Sequence, residues 1–191
     1  MKTKTINIYS FSELSDDAKQ KAIENWRNTC EDDYYFVWEH IKEDAKEIGL
    51  IIPSLEDHRP NRGEFKISAN EVAANIFSNH GQQCETYKTA REFMDQWEPF
   101  FEDYMDKNSE GYESRENENK LQELEDEFLQ SLLEDYRIMY NNEYEYQNSD
   151  EAITQTIEAN ELEFDENGKF HNTTTLTEIR ERIKATFFTK R

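Results

Sequence analysis

The sequence predicts an α+β fold, mainly helical with a small antiparallel sheet. Three observations lead there. Apolar residues recur at helical spacing over long stretches, most plainly Leu121, Leu124, Phe128, Leu132, Tyr136 and Met139. Short β-prone runs flank turn residues, and Asn167-Gly168 between Leu162/Phe164 and Phe170 is the sharpest hairpin signal. Only five Gly and three Pro punctuate 191 residues, whereas twelve Phe, ten Tyr and three Trp supply large side chains to bury. Leu, Ile, Val and Phe together number 38, near the compositional border of disorder, and the aromatic content moves the chain to the folded side of it. A single domain over 1–191 is expected, long enough to bury a sizeable core.

The elements follow in order. Thr5 to Phe11 alternates, with Ile6 and Ile8 on one face, as a short strand does. Ser15 can cap a helix in which Asp16 and Asp17 meet the positive end of the dipole and Ala18, Ala22 and Trp26 share a face. Tyr34, Val37, Trp38, Ile41, Ala45 and Ile48 make the next helical stripe, closed by Gly49. Leu50 to Leu55 and Gly63 to Ser68 read as two strands joined by the polar stretch Glu56 to Arg62. Ser68-Ala-Asn-Glu71 is a capping box opening a helix with Val72, Ile76 and Phe77 inward.

Ala90, Phe93, Met94, Trp97, Phe101, Tyr104 and Met105 then continue the helical period, and Pro99 is expected to kink or split that helix. Asp106 to Lys120 has Tyr112 as almost its only apolar residue and is the expected mobile loop. The Leu121–Met139 stripe marks the longest helix. Ser149-Asp-Glu-Ala152 starts another, with Ile153 and Ile157 inward and Asn160 ending it. After the hairpin, Thr175-x-x-Glu178 caps a final helix carrying Ile179 and Ile183.

Charge is unevenly distributed. The chain carries 43 acidic and 22 basic residues, a net charge of −21. Between Glu92 and Glu166 there are 25 acids and only Lys107, Arg115, Lys120 and Arg137 as bases, while the remaining residues balance. This divides the chain into a neutral part at about 1–91, an acidic helical part at about 92–166, and a C-terminal hairpin and helix at about 161–191. Direct nucleic-acid binding is not expected, since the one modest basic cluster is Arg180 to Arg191. A basic partner suits the chain better.

No apolar run approaches the roughly 20 residues of a membrane span, and the N-terminus has no hydrophobic stretch behind its lysines, so a cytoplasmic location is expected. Cys30 and Cys84 are too few for a disulfide scaffold and are expected to be buried or inert. His40, His58, His80 and His171 stand apart. His80-x-x-x-Cys84 is the one metal-like spacing and lacks a second pair, and His40 beside Glu43 and Asp44 reads as a surface histidine. There is no glycine-rich phosphate loop, no Gly-x-Ser-x-Gly and no Cys-x-x-Cys. Among 43 carboxylates some pair falls at any spacing, so paired-carboxylate catalysis cannot be inferred. Neither an enzyme, nor a metal, nor a cofactor is expected.

Three stretches, Tyr9 to Arg27 (YSFSELSDDAKQKAIENWR), Trp38 to Gly49 (WEHIKEDAKEIG) and Glu143 to Gly168 (EYEYQNSDEAITQTIEANELEFDENG), resemble an uncharacterised family of small acidic phage and prophage proteins, some labelled antitoxin-like. Members often carry Ser-Gln-Gly-Asp-Gly in a hairpin between the second and third helices. Here the matching stretch, Ser54 to Ser68, reads SLEDHRPNRGEFKIS and lacks it. The resemblance implies origin in a mobile element and no particular chemistry.

The acidic part yields the sharper functional expectation. Glu116, Glu123, Glu127 and Glu134 share a helix face, flanked by Glu102, Asp103, Asp106, Glu125 and Asp126. Along the axis their spacing is roughly 6 to 10 Å, comparable with phosphates on a duplex strand. Such a surface could mimic DNA in the groove of a basic, nucleic-acid-binding host protein: a nuclease, restriction enzyme or CRISPR effector. A plainer reading is a solvated face that keeps an aromatic-rich protein soluble. An alternative function is a regulatory, antitoxin-like module that binds through aromatic anchors such as Tyr34, Tyr35, Tyr144 and Tyr146.

Overall fold

The computed structural model describes residues 7–30, 35–54 and 62–171. The fold is mainly helical α+β, with two small antiparallel two-stranded sheets. The chain divides into two compact units, one formed by Met1–Val37 with Asn142–Arg191 and the other by Trp38–Asn141. Their boundaries fall inside helices and do not follow the charge boundaries of the sequence.

In the first unit, β1 (Tyr9–Ser10) pairs antiparallel with β4 (Glu163–Phe164). The expected strand over Thr5–Phe11 is corrected at its C-terminal end. A 3₁₀ turn already begins at Phe11, because the Glu13 carboxylate accepts the Ser10 backbone N–H at 2.8 Å and bends the chain out of the sheet. Ile8 is exposed. Helix α1 (Asp16–Cys30) starts where Ser15 Oγ accepts the Ala18 N–H. Helix α6 (Asp150–Ala159) starts where Ser149 Oγ accepts the Ala152 N–H. Arg27 of α1 donates to the Asn148 carbonyl at 3.0 Å and pairs with Asp150, fastening the two helices.

The core of this unit is Phe11, Leu14, Ala18, Ala22, Ile23, Ile153, Ile157, Leu162 and Phe164, with Tyr9, Trp26 and Phe170 packed against it. The predicted hairpin is present. The Gly168 N–H donates to the Asp165 carbonyl, Asp165 N–H to Lys169, and Phe164 bridges Phe170. Gly168 lies at φ +78°, as a type I turn followed by a left-handed residue requires.

In the second unit, α2 (Tyr35–Glu47) buries Ile41 and Ala45 and ends at Gly49, which takes a left-handed conformation. Strands β2 (Leu50–Ser54) and β3 (Arg62–Phe65) pair Leu50 with Phe65 and Ile51 with Glu64. The register slips before Ser54, where Pro53 has no N–H to give the ladder. Helix α3 (Ala69–Asn79) opens with the predicted box, Glu71 accepting both the N–H and the hydroxyl of Ser68. Val72 and Ile76 are buried, whereas Phe77 is half-buried with its ring edge against Tyr87.

Helices α4 (Glu85–Met105) and α5 (Arg115–Gln147) are the two longest. Thr86, Ala90, Phe93 and Trp97 bury one side of α4; Leu124, Phe128, Leu132, Leu133 and Tyr136 bury one side of α5. Phe93 and Phe128 stack at 4.2 Å between ring centres with planes 5° apart. Pro99 does not split α4. Trp97 before it and Phe101 after it stack at 4.3 Å, so aromatic packing spans the missing hydrogen bond.

A second correction concerns the expected loop over 106–120, whose last six residues are already helix. The connection is Asp106–Ser114, a series of hydrogen-bonded turns, and α5 begins at Arg115 with Ser114 Oγ accepting the Asn117 N–H. Tyr34, the connection 55–61, and Thr175, Glu178, Ile179 and Ile183 of the expected final helix lie outside the described residues.

Candidate interaction surface

The acidic candidates sit on α4, α5 and the turn between them. Three contacts fix how the two helices face each other. Phe93 stacks on Phe128, Trp97 Nε1–H donates to Glu125 Oε1 at 3.3 Å, and Thr89 Oγ1–H donates to Asp135 Oδ2 at 2.7 Å. These turn the apolar stripes together and draw Glu125 and Asp135 to the interface, while the remaining acidic candidates on α4 and α5 stay exposed.

Glu116, Glu123, Glu127 and Glu134 are all exposed on α5, and their spacing of seven, four and seven residues keeps them on one stripe about 27 Å long. Two carry their own counter-ions. Lys120 pairs with Glu123 at 3.3 Å, and Arg137 pairs with Glu134, holding the Glu134 carboxyl below its ordinary range. Glu102, Glu116 and Glu127 are exposed with no ion pair among the described residues. Asp126 is exposed and accepts from Gln122.

Three of the nine candidates instead hold the hairpin together. Glu125 is turned into the α4–α5 interface against Trp97, where burial pushes its carboxyl up and outweighs the indole hydrogen bond. Asp103 accepts from the Ser109 hydroxyl and from Asn117 Nδ2, which together lower its pKa. Asp106 accepts the Asn108 N–H at 2.9 Å and shapes the first turn of the connection. Gly111 belongs to the same network, since a Cβ there would stand 1.8 Å from Asp103 Oδ2.

Residues outside the sequence-derived set form a second acidic stripe. Glu92, Asp95 and Glu98 join Glu102 on α4. All four are exposed, and none has an ion-pair partner among the described residues. Arg91, the nearest base in sequence, lies over the Phe77 and Tyr87 rings. No base follows it until Lys107. The three- and four-residue spacing of these acids was a usable signal in the sequence. Two of them work against helix stability: Glu102 lies in the last turn, at the negative end of the dipole, and Glu98 and Glu102 are like charges at i, i+4.

The other polar cluster lies inside the second unit. His80 Nδ1 is 2.7 Å from Thr86 Oγ1, and Nε2 is 3.5 Å from Asp44 Oδ2, which also accepts from Tyr136 OH at 2.8 Å. Its composition resembles a nucleophile, base and acid. However, Thr86 is 2% exposed and Tyr136 0%, so no substrate reaches the hydroxyls, and the cluster satisfies buried polar groups. Both nitrogens of His80 face these partners, and Cys84 is exposed at the cap of α4. Among the described residues, no group of three or more His, Cys, Asp or Glu could hold a metal ion, and no helix is long and apolar enough to cross a membrane.

Of the aromatic candidates, Tyr144 is half-buried and Tyr146 is 49% exposed, while the Tyr34 and Tyr35 side chains lie outside the described residues. Compared with family models, curated proteins and solved structures, the chain matches none.

Proposed function

We propose that this chain is a non-catalytic inhibitor of mobile-element origin that acts in the host cytoplasm by occupying the nucleic-acid groove of a basic defence protein. A restriction enzyme or CRISPR effector is the class of target. The observation that carries this reading is the run Glu92, Asp95, Glu98 and Glu102 on α4: four acids on successive turns, exposed and without ion pairs among the described residues. Their axial steps of about 4.5 to 6 Å come closer to the charge interval of a nucleic-acid strand than the longer steps on α5 do. Glu116 and Glu127 form a separate exposed acidic stripe on α5. Long-range attraction by such a field speeds encounter with a cationic groove and disfavours acidic partners.

The test is capture by the tagged full chain from nuclease-treated bacterial lysate, washed at two salt concentrations, with mass spectrometry of what remains. A basic nucleic-acid-binding protein retained at low salt and lost at high salt supports the reading. A neutral partner that resists salt overturns it in favour of a regulatory, antitoxin-like module, for which Tyr146 is the exposed anchor.

A further inference from the structure

Exposed large apolar side chains are scattered singly over most of the described surface, at Ile8, Ile51, Ile67, Ile138 and Tyr146. The end of α4 differs: Phe100, Phe101 and Met105 are 37%, 38% and 56% exposed within six residues. Scattered single residues need no explanation, but a cluster does. Phe101 and Met105 stand at i, i+4, and Glu98 and Glu102 stand at i, i+4 beside them. All four are therefore immediate neighbours on one patch of helix surface. Half-buried Met94, seven residues before Phe101, extends the apolar stripe to about 16 Å, or three turns. Asp95, Glu98, Glu102 and Asp106 run beside it.

The two anchors differ in character. The Phe101 ring is held by stacking on the buried Trp97, so it meets a partner already ordered. Met105 is unbranched and adapts its shape to what covers it.

We infer that this stripe docks a basic amphipathic helix of the partner, whose apolar face covers Met94, Phe101 and Met105 while its Lys and Arg reach Asp95, Glu98 and Glu102. Charge decides among occupants. Nucleic acid and anionic lipid are repelled by the carboxylates, and a second copy of a chain with net charge −21 would bring like charge to like. A purely basic surface would leave Phe101 and Met105 uncovered. The inference rests on the reading of the hairpin as a face for a basic partner and narrows it to a helix-on-helix contact.

The test uses the full chain and two fluorescein-labelled 14-residue probes of equal charge: a Leu–Lys peptide patterned as an amphipathic helix and a Ser–Lys peptide without an apolar face. Anisotropy titration should give at least about tenfold tighter binding of the Leu–Lys probe. Met105→Ser should weaken that probe about fivefold, and Phe101→Ser with Met105→Ser more than about tenfold, with no change for Ser–Lys. Glu98→Gln with Glu102→Gln should weaken both. Met105→Ser alone is decisive if loss of the Phe101 stack impairs folding. Equal binding of the two probes, indifference of the Leu–Lys probe to Met105→Ser, or no binding of either overturns the inference. So does a dimer in sedimentation that Met105→Ser dissociates. Salt-sensitive binding of both probes that responds only to the Glu→Gln changes overturns the docking stripe while leaving the charge-based function standing.

Discussion

Asp103 and Asn117, fourteen residues apart, meet at 2.7 Å, and this bond closes the connection between the two longest helices. Asn117 is buried, and its Nδ2 also lies 3.4 Å from the Gly111 carbonyl. Replacing it by Ala removes the strong bond to Asp103 and the weak one to Gly111 together and should lower Tm by at least about 2–4 °C, the effect of about 1 kcal/mol in a chain of this size. The Asp103 pKa is lowered, first by Ser109 and then by Asn117. Its stabilisation is therefore present above the unfolded-state pKa and disappears as pH falls through the folded value. The gap between Asn117→Ala and the parent in thermal melts should accordingly narrow in acid.

Gly168 carries a second structural demand. Its φ is +78°, and a Cβ there would stand 2.1 Å from the Ala18 carbonyl oxygen of α1. Backbone cannot retreat as a flexible side chain does, so Gly168→Ala should cost at least about 2 kcal/mol in urea unfolding. Gly81, where an added Cβ would meet only Cys84 Sγ at 3.9 Å, is the control. Gly81→Ala should be neutral or stabilising by about half a kcal/mol.

Helix spacing, caps and the Asn167-Gly168 turn were legible because each is a local signal that packing then reinforces. Val72, Phe93, Phe128, Ile153 and Ile157 lie where their periods place them. The connection between α4 and α5 was not legible. Absence of apolar residues suggested mobility over 106–120, whereas Asp103, Ser109, Gly111 and Asn117 order its turns through polar contacts that no periodicity records. The charge stripe was legible in part. Spacing found Glu116, Glu123, Glu127 and Glu134, but the ion pairs on two of them and the inward turn of Glu125 depend on which rotamers meet in space.

Asp135 is expected to act with the opposite sign to Asp103. Burial raises its carboxyl pKa, the Thr89 hydrogen bond opposes this, and Glu85, Glu134 and Glu92 raise it further. A raised folded pKa means that the native state binds the proton more tightly than the unfolded chain. Its destabilising effect is full above the folded pKa and is relieved as pH falls toward the unfolded value. Asp135→Asn, whose amide oxygen still accepts from Thr89, should raise Tm at neutral pH. That advantage should shrink as pH falls through the folded pKa and vanish below the ordinary aspartate range.

Tyr136 tests the internal polar cluster. The ring is fully buried, and both burial and the neighbouring Asp44 push its hydroxyl far above the ordinary tyrosine range. It should remain protonated in alkali until the protein unfolds, which absorbance at 295 nm follows. Tyr136→Phe removes the donor to Asp44 and should cost about 1–2 kcal/mol. Tyr136→Ala, which also leaves a cavity where the fully buried ring was, should cost about 3–5 kcal/mol.

The two acidic helices should respond to neutralisation with opposite signs. On α4, Glu98 and Glu102 repel each other at i, i+4 and Glu102 sits at the negative end of the dipole; on α5, Glu116 lies in the first turn, where a negative charge is favoured. Glu98→Gln with Glu102→Gln should therefore raise Tm by about 1–4 °C at low ionic strength, while Glu116→Gln should lower it by about 1–2 °C. Both differences should shrink in 0.5 M salt. If the α4 acids are only a solvated face, removing them improves stability with no other consequence. If they are the contact to a basic partner, the same double variant gains stability and loses capture, the trade-off expected where charge is held against local preference for the sake of binding.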